Sequence, residues 1–258
     1  ISGASSGIGR DAAHRLAALG FTVFAGVRND KAGDDLRASA PADERDRIRP
    51  LLLDVTDPLS VERAVQSVET QCSQDGGALI GVVNNAGIAQ RARIGNGRAL
   101  AATEQTFAVN LFGVVRTTEG FFPLLRRSRG SRVVNIGSLA GAIHRQNDLA
   151  YVASKHAIEG LTDSMRVDMQ PLGISVSLVQ PGFVQSGMCS NKNCLAHPNV
   201  TTTPAIEHAL LSRYPRPRYA VSSVYGIPAS VVVTLSRSLL PDRVKDWVLT
   251  LFEPPDPE

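Results

Sequence analysis

Short apolar runs rich in β-branched residues alternate along the chain with longer segments in which apolar positions recur at helical spacing. Such alternation is typical of βαβ units, in which a helix returns the chain to the same sheet after each strand. We therefore predict an α/β fold with a doubly wound parallel sheet and helices on both faces. The predicted strands are 21–27, 48–54, 79–84, 132–136 and 174–179, and the predicted helices are 7–20, 59–72, 101–125 and 150–170.

No internal repeat or low-complexity linker divides the 258 residues, so we predict a single domain, 1–258. Residues about 183–218 look irregular, and loops of such length in compact domains are usually functional. Residues about 219–252 are predicted to form a C-terminal helical extension. Its uncharged part, 219–236, is interrupted by Ser, Gly and Pro, which predicts a buried or interfacial segment and not a membrane span. Peripheral membrane contact is the less favoured alternative.

The charges change this picture little. The 27 basic and 24 acidic residues are scattered along the chain, so nucleic acid is not an expected partner. Three cysteines favour the cytoplasm or another reducing compartment over a disulfide framework. Cys189 and Cys194 lack further ligands at suitable spacing, so no metal site is predicted.

A glycine-rich loop stands directly ahead of the first helical segment, with the spacing G-x-x-x-G-x-G. Glycine lets the backbone approach a pyrophosphate closely, and a helix N-terminus offers free N–H groups and a partial positive charge. The loop is therefore predicted to bind the phosphates of a dinucleotide. The candidate contact residues are Gly3, Ser5, Ser6, Gly7, Ile8 and Gly9.

The end of the predicted strand 21–27 predicts which dinucleotide is bound. In a dinucleotide fold an acidic residue there accepts a hydrogen bond from the adenosine ribose 2′-hydroxyl. Val27 occupies that place, and Arg28 follows it. Since a guanidinium matches a 2′-phosphate, we predict NADP(H) in preference to NAD(H), with Arg28 and Asn29 at the phosphate. Asp30 and Asp34 are close enough to bind a ribose hydroxyl instead.

Asp54 and Val55 end the next predicted strand and are the candidates for binding adenine, with the Asp54 carboxylate accepting from the adenine amino group. A turn or helix cap is the alternative role for Asp54, because Thr56, Asp57 and Pro58 follow it.

Tyr151 and Lys155 stand four residues apart on a predicted helix, so both side chains project from one face. A tyrosine ordinarily titrates near pH 10 and exchanges protons poorly at neutral pH. A neighbouring ammonium stabilises the phenolate and lowers that pKa. Tyr151 is therefore the candidate general acid and base.

Two polar side chains complete the predicted catalytic set. Ser138 follows a predicted strand at the carboxyl edge of the sheet, where its hydroxyl is able to hydrogen-bond a substrate oxygen. Asn110 lies in the middle of a predicted helix, where an amide is neutral to unfavourable unless it has a buried role.

Taken together in chain order, these motifs resemble the short-chain dehydrogenase/reductase family, whose members have a Rossmann-like fold. The match comprises the glycine loop, Asn84-Asn85-Ala86-Gly87, Asn110, Ser138, Tyr151 with Lys155, and Pro181-Gly182. By this resemblance the chain is expected to transfer hydride between a nicotinamide cofactor and a small carbonyl or alcohol substrate, and to form a homodimer or homotetramer through the long helices that carry Asn110 and Tyr151.

The resemblance also implies individual roles. Asn110 would support a water molecule in a proton relay, and Lys155 would also hold the nicotinamide ribose. Further cofactor contacts are expected at Asn85, Ala86, Gly87, Tyr151, Lys155, Pro181, Gly182, Val184 and Ser186. His144 is a candidate pocket residue, whereas His156 is expected on the helix surface or at an interface.

Two departures from the family pattern shape the expected substrate and the expected extent of the chain. Complete members of the family have a strand immediately before the glycine loop, whereas only Ile1 and Ser2 precede Gly3 here. We therefore expect that the first strand is largely missing from this chain. For the same reason the sequence makes no prediction about an N-terminal targeting segment. The segments 217–220 and 239–243 look like the retinol- and hydroxysteroid-dehydrogenase-like branch, which favours a lipophilic alcohol or ketone. A 3-oxoacyl reductase is the alternative enzyme, and a cofactor-binding sensor is the alternative of another class.

Overall fold

The computed structural model describes residues 1–144, 148–182, 202–221, 223–224 and 227–238. Its strands are β1 Val23–Val27, β2 Ile48–Leu52, β3 Gly81–Asn84, β4 Arg132–Ile136, β5 Ser175–Pro181, β6 Arg218–Val221, β7 Ser223–Val224 and β8 Ile227–Pro228. β1 and β2 pair in parallel, and β3, β4, β5 and β6 form a second parallel set in that order. β7 and β8 form a small antiparallel hairpin.

Residues 1–4 lie between these two parallel sets and hydrogen-bond to both. The Gly26 N–H donates to the Ile1 carbonyl over 2.8 Å, and the Ala4 N–H donates to the Gly26 carbonyl over 2.8 Å. On the other side, the Ser2 N–H donates to the Val83 carbonyl over 3.0 Å. This segment therefore occupies the place predicted for the first strand, and it joins β1 to β3 in one layer.

The helices are α1 Gly7–Ala18, α2 Asp30–Ala38, α3 Pro58–Gln74, α4 Ala99–Phe107, α5 Gly113–Arg127, α6 Leu149–Met169, α7 Thr203–Leu211 and α8 Ala229–Ser238. They cover both faces of the sheet. Val133 of β4 packs with Phe121 of α5, whereas its neighbour Val134 packs on the opposite face with Ile206 of α7. The predicted doubly wound parallel fold is confirmed. Among the described residues, no helix has an apolar stretch long enough to cross a bilayer.

The prediction of an irregular segment at 183–218 is wrong for its described part. α7 spans Thr203–Leu211, and β6 begins at Arg218 and extends the parallel sheet. Pro204 stands in the first turn of α7, where proline is tolerated, and Ile206 is fully buried against the sheet. The helix was not predicted because its apolar face is short and the residues around it are mostly polar or proline.

The predicted helix 101–125 is interrupted. α4 ends at Phe107, a π-helical turn spans Ala108–Phe112, and α5 continues to Arg127. A π-helical turn accommodates one extra residue in the helix and is often found at functional sites. Asn110 lies within this turn, and its side-chain hydrogen bonds supply the local stabilisation that the weaker backbone pattern lacks.

A buried polar network links the sheet to the helices on one face. The Asn84 amide donates to Thr118 Oγ1 over 2.9 Å and to Asn135 Oδ1 over 2.8 Å, and the Asn135 amide donates to Thr162 Oγ1 over 3.0 Å. All four residues are at most 2% exposed. Since an unpaired buried amide costs about 1–3 kcal/mol, the network fixes β3 and β4 relative to α5 and α6.

Replacing Asn135 with Leu should lower the free energy of unfolding by about 2–3 kcal/mol, because the Asn84 amide and the Thr162 hydroxyl each lose a buried partner. Urea denaturation measures the change. Gln66→Leu on the exposed face of α3 is the control and should change the value by less than about 0.5 kcal/mol. Equal effects of the two substitutions would contradict the role assigned to the network.

Candidate active site

The glycine loop is packed directly against the segment that follows β3. Gly3 has φ +64°, and a Cβ there would lie 2.8 Å from Ala86 Cα. A Cβ at Gly9 would lie 2.4 Å from Asn85 Nδ2 and 2.5 Å from the Gly3 carbonyl oxygen. Only glycine fits at both positions, so the loop keeps its backbone open toward solvent and close to the sheet.

Asn85 and Ser2 hold this loop in place. The Asn85 amide donates to the carbonyls of Ser2 and Gly3 over 3.0 and 2.9 Å, and Ser2 Oγ accepts from the Asn85 and Ala86 N–H groups over 3.0 Å. Asn85 and Ala86 were predicted from the sequence, but Ser2 was not. The signal for Ser2 was weak, because a polar residue beside a glycine has many possible roles.

The N-terminus of α1 suits a phosphate. Its N-cap residue Ser6 makes no side-chain cap hydrogen bond, and the first turn carries no acidic residue. The N–H groups and the positive end of the helix dipole therefore face the glycine loop without a built-in anion. The predicted contact residues Ser5, Gly7 and Ile8 lie at this end of α1.

The adenosine side is framed by the ends of β1 and β2. Val27 is buried at the end of β1, and Arg28 is exposed next to it. The Asn29 side chain is used as the N-cap of α2, accepting from the Ala32 N–H over 2.9 Å. Asn29 is exposed too, but its side-chain oxygen is used by this cap, so Arg28 is the stronger candidate of the pair for binding an anion.

Asp54 stabilises a turn, which was the alternative to adenine binding that the sequence offered for this residue. Its Oδ1 accepts from the Thr56 N–H and hydroxyl over 2.8 and 2.7 Å. These hydrogen bonds from Thr56 are the main cause that lowers the pKa of the Asp54 carboxyl, with smaller contributions from the charges of Arg28 and Arg116, while partial burial opposes them. Oδ2 remains available for a ligand, so the turn role does not exclude adenine binding.

Lys155 is buried inside the site and hydrogen-bonds to the neighbouring strand. Its Nζ donates to the Ile136 carbonyl at the end of β4 over 2.8 Å, and the residue is 5% exposed. Burial lowers the pKa of this ammonium to about 8. Nζ also lies 5.6 Å from the centroid of the Tyr151 ring, so the predicted pair is brought together on one face of α6.

Ser138 lies two residues after the end of β4 and caps the short 3₁₀ turn Leu139–Gly141. Its Oγ accepts from the Ala140 N–H over 3.1 Å. Since a hydroxyl both accepts and donates, this contact orients Oγ while leaving its O–H to donate to a substrate oxygen.

The Asn110 side chain clamps the segment after β3 to α6. Its amide exchanges two hydrogen bonds with the backbone of Ile88 over 2.8 and 2.9 Å and donates to Ser154 Oγ over 3.0 Å. Ser154 Oγ in turn donates to the Tyr151 carbonyl over 2.8 Å. Ser154 was missed by the sequence reasoning, and the signal was a small polar residue between Tyr151 and Lys155.

Several predicted residues have a different or undescribed setting. His144 is exposed, and its ring stacks on His156 with centroids 5.7 Å apart, so the two lie together at the surface of α6. Pro181 ends β5, Gly182 donates its N–H to the Val221 carbonyl over 3.2 Å, and Gly87 follows β3. Val184, Ser186, Cys189, Cys194 and the extension beyond residue 238 lie outside the described residues.

Comparison with known proteins agrees with this arrangement. A model of the short chain dehydrogenase family matches residues 1–194. The chain therefore belongs to the short-chain dehydrogenase/reductase family, and it is an oxidoreductase of that family. Its resemblance to the retinol- and hydroxysteroid-dehydrogenase-like branch is also confirmed.

Three individual proteins show how similar the chain is to known members of the family. Retinol dehydrogenase 5 of Mus musculus is 34% identical, over 98% of this chain and 88% of the relative. The mitochondrial D-beta-hydroxybutyrate dehydrogenase of Mus musculus is 37% identical over 70% of this chain, but the match spans only about half, 52%, of that relative. A solved short-chain dehydrogenase from Streptomyces avermitilis superposes with a TM-score of 0.78 and 26% identity, over 97% of this chain and 95% of the other.

Gly9→Ala should weaken binding of a dinucleotide cofactor at least about tenfold and lower the free energy of unfolding by about 1–3 kcal/mol, because the new Cβ displaces the glycine loop. Calorimetric titration and urea denaturation measure the two effects. Gly160→Ala on α6 meets no atom within 4 Å and should instead stabilise the protein by about 0.5–1 kcal/mol. Unchanged cofactor binding by Gly9→Ala would show that the loop does not approach the phosphates.

Lys155→Met should stabilise the protein without cofactor at pH 7 by about 1–2 kcal/mol. Burying the ammonium, whose pKa falls from 10.5 to about 8, costs about 3 kcal/mol below pH 8, and part of the gain is lost because the Ile136 carbonyl is left unpaired. Between pH 8 and 10.5 the unfolded wild-type chain binds more protons than the folded one, so wild-type stability rises with pH.

The difference between the two proteins should therefore shrink and change sign as the pH approaches 10.5. Urea denaturation of both proteins across this range measures it. A stability difference that is independent of pH would contradict a buried ammonium at Lys155.

Proposed function

We propose that the chain is an NADP(H)-dependent oxidoreductase that interconverts a lipophilic ketone or aldehyde with the corresponding alcohol. The observation that carries the proposal is the buried Lys155 ammonium, held at the end of β4 and 5.6 Å from the Tyr151 ring. A buried charge is costly, and its retention beside a phenol at the carboxyl edge of a dinucleotide-binding sheet is explained by proton-transfer chemistry.

The residues have complementary roles in the reaction. A bound nicotinamide cofactor would supply hydride to the carbonyl carbon in reduction, and would accept hydride from the hydroxyl-bearing carbon of the alcohol in oxidation. Tyr151 donates its hydroxyl proton to the substrate oxygen during reduction and removes the proton from the alcohol during oxidation. Ser138 donates a hydrogen bond to the same oxygen as negative charge develops on it, which elsewhere contributes about 3–4 kcal/mol.

Lys155 and Asn110 support Tyr151 in different ways. The Lys155 ammonium stabilises the phenolate that forms when Tyr151 gives up its proton, and its remaining N–H donors are able to hold the nicotinamide ribose. Asn110 fixes Ser154 and thereby the turn of α6 that carries Tyr151. Its amide donors are directed at Ile88 and Ser154, which supports a positioning role.

Three features support binding of the cofactor itself. The glycine loop leaves no room for a Cβ at Gly3 or Gly9, the α1 N-terminus has no side-chain cap, and Arg28 is exposed directly after β1, the strand whose end meets the adenosine ribose in a dinucleotide fold. The buried end of β1 offers Val27 and no carboxylate to accept from a 2′-hydroxyl. These features support NADP(H) in preference to NAD(H).

A lipophilic substrate is supported by the apolar surroundings of the segment that follows Ser138. Leu139 packs with Ala229 and Val233 of α8 in a buried apolar cluster that includes partly buried Ile143. Retinol dehydrogenase 5 of Mus musculus, of which the match covers 88%, is named for a lipophilic alcohol. A hydroxybutyrate-like or 3-oxoacyl substrate is the second candidate, favoured by the similarity to D-beta-hydroxybutyrate dehydrogenase.

We also propose that the chain forms a homodimer or homotetramer through α5, the π-helical turn before it, and α6. Phe112 is 54% exposed, Val115 39% and Val167 61%, so these helices carry large apolar side chains that a second protomer would cover. A reducing compartment such as the cytoplasm remains the expected location, and Cys72 is a free thiol.

Tyr151→Phe should lower kcat by at least about a thousandfold while leaving the dissociation constant of NADPH within about threefold, because only the proton donor is removed. The assay follows NADPH consumption with a panel of steroid, retinoid and short-chain ketones and aldehydes, and NADP⁺ reduction with the matching alcohols. Tyr214→Phe, at an exposed position 74% accessible, is the control and should behave as wild type.

Binding of NADPH without turnover of any substrate in either direction would favour the cofactor-sensing protein over the enzyme. Failure of the wild-type chain to bind NADPH or NADH would contradict the proposed function altogether. Turnover by Tyr151→Phe at the wild-type rate would contradict its role as the acid and base.

A further inference from the structure

Arg116 lies on the first turn of α5 and hydrogen-bonds to the backbone of the predicted adenine site. Its Nη1 donates to the Val55 carbonyl over 2.5 Å. Val55 is 5% exposed and follows Asp54 at the end of β2. A charged donor on a backbone carbonyl makes a stronger hydrogen bond than a neutral one, so the contact restrains the Asp54–Val55 turn.

The same turn is packed tightly from other directions. A Cβ at Gly113 would lie 2.6 Å from Val55 Cγ2, so α5 begins in direct contact with the Val55 side chain. The Asp54 N–H donates to Ser60 Oγ of α3 over 2.9 Å, and Thr56 holds the Asp54 carboxylate. The turn is therefore fixed between α3 and α5, with Arg116 making the contact from α5.

Two guanidinium groups act on Asp54 from different elements. Arg28 follows β1, on the side expected for the ribose 2′-phosphate, whereas Arg116 approaches from α5 and is directed at the Val55 carbonyl. Both charges favour the ionised form of the Asp54 carboxyl, after the larger effect of the Thr56 hydrogen bonds. Only the Arg28 position distinguishes a 2′-phosphate from a 2′-hydroxyl.

We propose that Arg116 is a positioning residue for the adenine half of the cofactor, acting through the Val55 carbonyl to keep the Asp54–Val55 turn in its binding conformation. The inference rests on the proposed dinucleotide function. Because the contact is made to the protein backbone and not to the 2′-position, Arg116 contributes equally to binding of NADPH and NADH. Arg28 contributes to NADPH alone.

The test measures dissociation constants by calorimetric titration for NADPH, NADH, ADP-ribose and reduced nicotinamide mononucleotide. Arg116→Met should weaken the three adenine-containing ligands by a similar factor of about ten and leave the mononucleotide unchanged. The value of kcat at saturating NADPH should stay within about twofold. Arg116→Lys, which retains a charged donor, should recover most of the affinity.

Two further variants separate positioning from other effects. Arg28→Gln should weaken NADPH about tenfold with little change for NADH, and Arg126→Met, an exposed position near the end of α5, should change neither. Gly113→Ala leaves Arg116 intact but pushes on Val55, so it should reproduce the adenine-specific loss.

The proposal is overturned if Arg116→Met leaves all four dissociation constants unchanged, weakens the mononucleotide equally, or changes the ratio of NADPH to NADH affinity as Arg28→Gln does. In each of these cases the proposed function still stands if the wild-type chain binds NADPH and turns over a substrate with it. An absence of NADPH and NADH binding by the wild-type chain would instead contradict the proposed function.

Discussion

The hydrogen bond from the buried Lys155 ammonium to the Ile136 carbonyl is the interaction on which the site depends. It joins the end of β4, from which Ser138 follows, to the helix that carries Tyr151. The connection requires close packing between them, and Gly141 supplies it, because a Cβ there would lie 2.7 Å from the Lys155 carbonyl oxygen. The Lys155 charge is therefore held in a buried position that is unfavourable for it, between the end of β4 and α6.

The helix that bears this charge is held one turn further along by a second polar network. Glu159 Oε1 accepts from Gln180 Nε2 over 2.7 Å, and Oε2 accepts from Arg218 Nε over 3.2 Å. Arg218 also bonds Asp163. Since Glu159 is 6% exposed, loss of one partner would leave a buried charge uncompensated, which typically costs 3–5 kcal/mol. The network fixes α6 against β5 and β6, at the strand end that precedes Gly182.

The sequence predicted the parts of this architecture that depend on local pattern. The bounds of β4 match the prediction, and the ends of the other central strands differ by a few residues, because alternating β-branched runs specify a strand without help from distant contacts. Tyr151 and Lys155 were found because their spacing on a helix is itself the signal. The fold class and the family were also predictable from local signals. The fold class follows from the alternation of strand and helix patterns, and the family from motifs that occur in order along the chain.

The parts that were missed depend on contacts between distant segments. Ser2 hydrogen-bonds to Asn85, and Ser154 hydrogen-bonds to Asn110. The local sequence around each serine does not predict these distant partners. α7 was overlooked because its burial against the sheet, not its composition, makes it helical. The π-helical turn contains Asn110, whose amide hydrogen-bonds to the Ile88 backbone. Helical periodicity in the sequence does not reveal such a long-range contact.

The most direct test of the account is a spectroscopic titration of the Tyr151 phenol in the presence of NADP⁺, taken as the ultraviolet difference between wild type and Tyr151→Phe. Because the Lys155 ammonium lies 5.6 Å from the ring, the phenolate should form at least about two pH units below the ordinary tyrosine value near 10. In a Lys155→Met background the transition should move back toward 10 or above. A transition near 10 that is the same with and without Lys155 would contradict the central claim.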